Sequence, residues 1–203
     1  MPCQKCNVCP MPKKYGTPNF DPLDAIEGDP KSPIWIIGIN PKTAPDEHAP
    51  NQPNPIDWKS THPNAPHFQR LQRIVGDQWY TCLFKEGGIA HTDLIKCGSP
   101  SYSEEAKGAV EHCKGFLLEQ ISKHKPKLLL VLSSAAAEII QGEAKIPDGC
   151  TEGMWKIGNH QCHVVLSGYS SPFQDRYARL RLMKEFINAC KLVGLNPPAA
   201  INS

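Results

Sequence analysis

The chain lacks what a membrane protein, a secreted disulfide scaffold or a strongly basic nucleic-acid tail would need. None of its apolar runs approaches the roughly 18 residues required to cross a bilayer. The polar start Met1-Pro2-Cys3-Gln4-Lys5-Cys6 carries no signal-peptide core, so a cytoplasmic protein without a membrane partner is expected. Charge of one sign is also scarce: 22 Lys and Arg face 20 Asp and Glu, a formal net charge of +2. So mild a balance announces no nucleic-acid binder, although a local basic groove fits inside a nearly neutral total. No internal repeat is visible. With 203 residues, 40% hydrophobic and 21% charged, the composition is that of a globular chain with one sizeable core, and a single domain over 1–203 is expected.

Cysteine and proline, by contrast, are plentiful, at nine and twenty residues. A reducing cytosol keeps thiols free, so clustered cysteines there more often hold a metal than form disulfides. Cys3-x-x-Cys6-x-x-Cys9 opens a Pro- and Gly-rich segment, residues 1–32, that can bury little apolar surface and needs an anchor to stay ordered. A metal centre would supply one. The stretch from Pro41 to Pro66 has neither helical nor strand period, and a loop of that length is usually functional. Its Asp46, Glu47 and His48 are expected in a solvated turn.

The chain is organised around Pro33-Ile34-Trp35-Ile36-Ile37-Gly38-Ile39-Asn40-Pro41. Four apolar residues without polar alternation predict a parallel strand covered on both faces, and Gly38 allows a close backbone approach at its end, with a ligand as the natural candidate. A helix is expected from about Pro66 to Val75, with Phe68, Leu71 and Val75 or Ile74 on one face. A second strand follows over Ile89–Ile95, closed by the turn Lys96-Cys97-Gly98-Ser99-Pro100. Ser103 then caps a helix through Cys113, Phe116, Leu117 and Ile121, its first turn acidic with Glu104 and Glu105. Lys127–Leu132 reads as another buried strand, and Ser133-Ser134 as the cap of a helix over Ala135–Ile140. Trp155–Val165 reads as a hairpin turning at Gly158-Asn159. The last helix is expected from Asp175 to Val193, with Leu180, Met183, Phe186 or Ile187, and Cys190 inward and Arg176, Arg179, Arg181 and Lys184 outward. Strands alternating with helices predict a three-layer α/β/α sandwich with a mainly parallel central sheet.

Three strand ends, Gly38-Ile39-Asn40-Pro41, Thr92-Asp93-Leu94-Ile95-Lys96-Cys97 and Gly168-Tyr169-Ser170-Ser171-Pro172, together with the cysteines, resemble the uracil-DNA glycosylase superfamily. The first motif is similar to the Gly-Ile-Asn-Pro of its mismatch-specific branch, and the middle of the chain to its iron-sulfur, family-four branch. The likeness spans about residues 3–185. It implies a uracil-DNA glycosylase-like fold and a four-iron, four-sulfur cluster held by Cys6, Cys9, Cys97 and Cys113. Fifteen residues separate Cys97 from Cys113, a spacing that suits the family and no common zinc knuckle. Zinc is the rival metal and Cys3 the alternative ligand. Cys82, Cys150, Cys162 and Cys190 fall outside the pattern and are expected as buried small hydrophobes.

The same resemblance implies that a base leaves the DNA stack and departs as an anion while water attacks an oxocarbenium-like sugar. Asn40 falls where the family positions that water, and Tyr169 where it commonly shows a histidine that assists the departing base. Gly38 and Ile39 would offer backbone amides to the base, Phe68 a stacking surface, and Asp93 stands where relatives carry the Asn that reads the uracil edge. Ser170, Ser171 and Arg176 are the expected contacts to DNA phosphates. The expectation is therefore a monomeric DNA-repair glycosylase acting on uracil or a related damaged base. Its rivals are a catalytically weak protein that captures a flipped modified base in DNA, and a zinc-stabilised α/β domain with no nucleic-acid role.

Overall fold

A computed structural model of the chain describes Cys9 and residues 21–39, 66–97, 104–167 and 176–197, the side chains of 66–70 and 176–179 excepted. Five strands, β1 (Ile34–Gly38), β2 (Ile89–Asp93), β3 (Leu128–Leu132), β4 (Glu152–Ile157) and β5 (His160–Ser167), form one sheet in the order β2-β1-β3-β5-β4. All neighbouring pairs are parallel except β4 with β5. Four helices cover it: α1 (Pro66–Tyr80), α2 (Glu104–His124), α3 (Ser134–Ala144) and α4 (Arg176–Leu192).

Strand alternation divides the sheet's side chains between two cores. Trp35, Ile37, Leu129 and Val131 pack with Leu117 and Ile121 of α2 and Ala136 and Ile140 of α3. Ile34, Ile36, Leu128 and Leu130 pack on the other face with Leu71, Ile74 and Val75 of α1 and Leu182 and Phe186 of α4. The expected three-layer α/β/α architecture is therefore the observed one. The apolar runs of β1 and β3 are explained by it, since every residue of these two central strands is buried.

Several boundaries and faces differ from expectation for identifiable reasons. The helix expected to stop at Val75 continues to Tyr80 across a kink at Gly76, whose φ of 80° only glycine adopts readily. Trp79, beyond the kink, is buried in the same core as Leu71. Strand β2 ends at Asp93 rather than Ile95. Leu94 and Ile95 still donate their N–H groups to Gly38 O (3.1 Å) and Ile39 O (2.8 Å), so the pairing outlasts the regular strand. On α4, Leu182, Phe186, Ala189 and Cys190 turn inward, whereas Leu180 and Ile187 are exposed, correcting the expected inward place of Leu180. Cys150 is exposed rather than a buried hydrophobe, while Cys82, Cys162 and Cys190 are buried as expected. The hairpin turns at Gly158 with φ +58°, and Ser133 caps α3 by accepting from Ala136 N–H.

The chain leaves β1 for β2 on one side and returns as β3 on the other, so strand order reverses at β1. In open α/β sheets the crevice beyond the carboxyl ends at such a reversal is where ligands bind. Gly38 and Ile39 stand at that end.

Candidate active site

The sequence His91-Thr92-Asp93 sends its side chains to opposite faces of the edge strand β2. His91 and Asp93 share the face of Ile89, toward α1 and α4, and Thr92 faces α2. Each face carries a polar group of its own.

On the α1 face, Asp93 is the register partner of Gly38. A Cβ placed on Gly38 would stand 2.0 Å from Asp93 Oδ1 and 3.2 Å from His91 Nε2, so the carboxyl lies across the strand tip in the space a side chain would fill. The close approach expected of Gly38 is thus made by a neighbouring side chain. His91 Nε2 is 3.9 Å from Asp93 Oδ1, and His91 Nδ1 is 3.0 Å from Glu27 Oε2. Glu27 sits opposite His91 because the two exchange backbone hydrogen bonds, Glu27 N to His91 O at 2.8 Å and His91 N to Glu27 O at 2.9 Å. That bridge also covers part of the open edge of β2.

Burial opposes charge on the His91 ring, but the carboxylates of Asp93 and Glu27 outweigh it and carry its pKa up to about 9. At neutral pH the ring is an imidazolium whose Nδ1–H donates to Glu27. Burial pushes the Asp93 carboxyl up to about 6, against the downward pull of His91 and Lys96. Asp93 is therefore mostly ionised at neutral pH yet close to titrating.

On the α2 face, the fully buried Lys96 donates from Nζ to Thr92 Oγ1 (2.7 Å), Asp93 O (2.5 Å) and Gln120 Oε1 (2.6 Å). Three protons meet three acceptors. Gln120 Nε2 in turn donates to Leu23 O at 3.0 Å and Pro22 O at 3.2 Å, and Thr92 Oγ1 donates to Ala25 O at 2.6 Å. These bonds lash the segment 21–27 to β2 and α2. Burial lowers the Lys96 pKa to about 7, against the upward pull of Asp93 and Cys113.

Cys9, Cys97 and Cys113 are buried and belong to one core cluster, on the α2 face of the sheet. Among the described residues, no group of three or more His, Cys, Asp or Glu converges to hold a single metal ion.

Of the residues expected at the site, Gly38, Ile39 and Asp93 are brought together at the β1 and β2 tips. Phe68 falls in the first turn of α1, the helix covering that face, and Arg176 is the first residue of α4. Asn40, Tyr169, Ser170, Ser171 and Cys6 lie outside the described residues, as do Cys3, Asp46, Glu47 and His48. Sequence reasoning missed Glu27, His91, Lys96 and Gln120. His91 was recoverable, because it stands two residues before Asp93 on a strand and so shares its face. Lys96 was taken only as part of a turn, and no local pattern marks Glu27 or Gln120, which reach the site from far along the chain.

A family model described as "Uracil DNA glycosylase superfamily" matches residues 25–191. The chain belongs to that superfamily. Membership makes it a glycosylase-type hydrolase acting on DNA, and the reversal point at β1, with Gly38, Ile39 and Asp93 around it, is where the fold locates ligand chemistry. No curated protein sequence matches the chain closely enough to narrow the activity further. Among the described residues no helix is long and apolar enough to cross a membrane.

Proposed function

We propose that the protein is a monofunctional DNA-repair glycosylase that hydrolyses the N-glycosidic bond of uracil, or of a related deaminated base, in DNA. The observation that carries this reading is the meeting of Gly38, Ile39 and Asp93 at the carboxyl end of β1, where the strand order reverses, in a chain of this superfamily. Gly38 O accepts from Leu94, and the Gly38 N–H, which points the same way, belongs to the ladder with β2, so the backbone donor this reading keeps for the departing base is the N–H of Ile39. One such donor is worth about 3–4 kcal/mol in the transition state. Asn40, two residues past Gly38, positions the attacking water. A cationic sugar needs a placed water more than a deprotonated one, so an amide suffices. Tyr169 donates to the base, Phe68 stacks on it, and Ser170, Ser171 and Arg176 hold the flanking phosphates.

Cys6, Cys9, Cys97 and Cys113 are the ligands this reading assigns to a structural four-iron, four-sulfur cluster. The chemistry of the donor set fits: three of the four are buried thiols in one core cluster, drawn from the N-terminal segment, the end of the β2 tip and helix α2. Four-iron clusters are held by four cysteine thiolates around a volume, not by ligands converging on one ion. Such a cluster would contribute folding energy by ligation.

Single-lesion oligonucleotides test the reading. The purified protein should be brown, contain iron and acid-labile sulfide, and release free uracil, with release lost in Asn40→Ala. A colourless protein with stoichiometric zinc would remove the cluster. Binding of the lesion without release of any base would replace the enzyme by a base-capturing protein.

A further inference from the structure

We propose that Glu27 and His91 form a positioning pair that holds the Asp93 carboxyl across Gly38 as the acceptor for a ring N–H of the extruded base. This rests on the glycosylase reading and assigns its base recognition to a carboxylate oriented from the edge of the sheet.

The geometry runs in one line over one face. Glu27 is fixed to β2 by two backbone hydrogen bonds to His91, and its carboxylate accepts from His91 Nδ1 at 3.0 Å. The opposite ring nitrogen lies 3.9 Å from Asp93 Oδ1, beyond hydrogen-bond length but well within Coulomb range. Asp93 Oδ1 occupies the space that any side chain at position 38 would take, which puts it at the tip of β1 rather than pointing away from the sheet. The side chains of His91 and Asp93 are 12% and 9% exposed, so both keep some access to solvent.

The charges agree with the geometry. His91, raised to about 9, is cationic at neutral pH and favours the ionised form of Asp93, whose pKa burial and, less strongly, the Glu27 carboxylate drive upward. An ionised carboxylate only accepts hydrogen bonds. It therefore selects bases that present an N–H, such as the N3–H of uracil, and rejects a base in which that hydrogen is replaced by a methyl group. Glu27 and His91 act through Asp93 and are not themselves catalytic residues.

Oligonucleotides carrying uracil or N3-methyluracil are compared for the wild type, Glu27→Gln, His91→Gln, Asp93→Ala and the double variant His91→Gln/Asp93→Ala, with release and binding both measured. The wild type should prefer uracil by roughly 10- to 100-fold, the effect of a charge-assisted hydrogen bond left unmade in a closed site. His91→Gln should lose about tenfold of that preference and Glu27→Gln a smaller part, with thermal unfolding recorded to separate out destabilisation. In the Asp93→Ala background, where no acceptor remains at this position, His91→Gln should change the preference no further, because a residue acting through Asp93 has nothing left to position. Equal losses of preference from His91→Gln in both backgrounds, or an unchanged preference in His91→Gln and Glu27→Gln alike, would overturn the proposal. A wild type that binds both oligonucleotides but releases neither base overturns the enzymatic reading alone, and the preference is then read from binding. Should it bind neither, both readings fall.

Discussion

The two faces of β2 handle buried polarity in opposite ways. Under α2, Lys96 is closed off with three donors matched to three acceptors, and its network reaches Gln120, Thr92 and the backbone of 22–25. Over the α1 face, Glu27, His91 and Asp93 form a line of titratable groups, with one contact at 3.0 Å and the next at 3.9 Å. A satisfied buried network rigidifies and specifies a fold. The first therefore holds the N-terminal segment in place, and the second is the one the proposal above gives to the ligand. The difference also shows how one five-residue edge strand serves both, since alternation puts Thr92 on one side and His91 and Asp93 on the other.

The sharpest way to break this contrast is to cut the satisfied network. Lys96→Met removes three donors at once and leaves Asp93 O and Gln120 Oε1 buried with a lost partner. At ~1–3 kcal/mol for each stranded group, a destabilisation of about 3 kcal/mol is expected. Urea unfolding measures it, and amide exchange should show 21–27 losing protection first. A cost below ~1 kcal/mol would mean the network carries no such role.

A smaller effect on stability, but a larger one on activity, is expected at the strand tip. Gly38→Ala places a methyl group 2.0 Å from Asp93 Oδ1, so the carboxyl must swing off the tip. Base preference should fall about as far as in Asp93→Ala, with unfolding changed by only ~1 kcal/mol. In an Asp93→Ala background the same substitution should cost little, because nothing remains there to displace. Strong additivity of the two changes would show that Gly38 is needed for its backbone and not for the room it leaves.

The centre of the sheet was legible in the sequence because β1 and β3 are unbroken apolar runs bounded by breakers, Ile34–Ile37 and Leu128–Leu132, as strands buried on both faces should be. Gly38 stood out by its place at a strand end and Asp93 by the family resemblance, and the structure sets the two opposite each other in register. What escaped was whatever depends on long-range packing. Leu180 has the same helical spacing whether it faces in or out, and only the docking of α4 against α1 decides it. Glu27 is 64 residues from His91, and Gln120 nearly a hundred from Pro22 and Leu23. No period or motif links such positions, so their chemistry emerges only when the edge strand gathers them.

A further expected effect concerns pH, and it separates the two faces by sign. His91 has its pKa raised from 6.5 to about 9, so the folded chain retains a proton over that interval that the unfolded chain gives up. Its contribution to stability is complete below about pH 6.5 and is lost as the pH rises through about 9. Lys96, lowered from 10.5 to about 7, works in the opposite direction over much of the same range, because there the folded state binds fewer protons. Asp93, raised from 3.8 to about 6, adds a further loss of stability as the pH climbs through about 6. The raw stability curve therefore mixes the faces, whereas the difference between wild type and His91→Gln isolates one of them. That difference should shrink steadily from pH 6.5 to 9 in denaturant unfolding. A flat difference would place a neutral imidazole between Glu27 and Asp93, and the contrast between a hydrogen-bonded face and a charged one would lose its electrostatic basis.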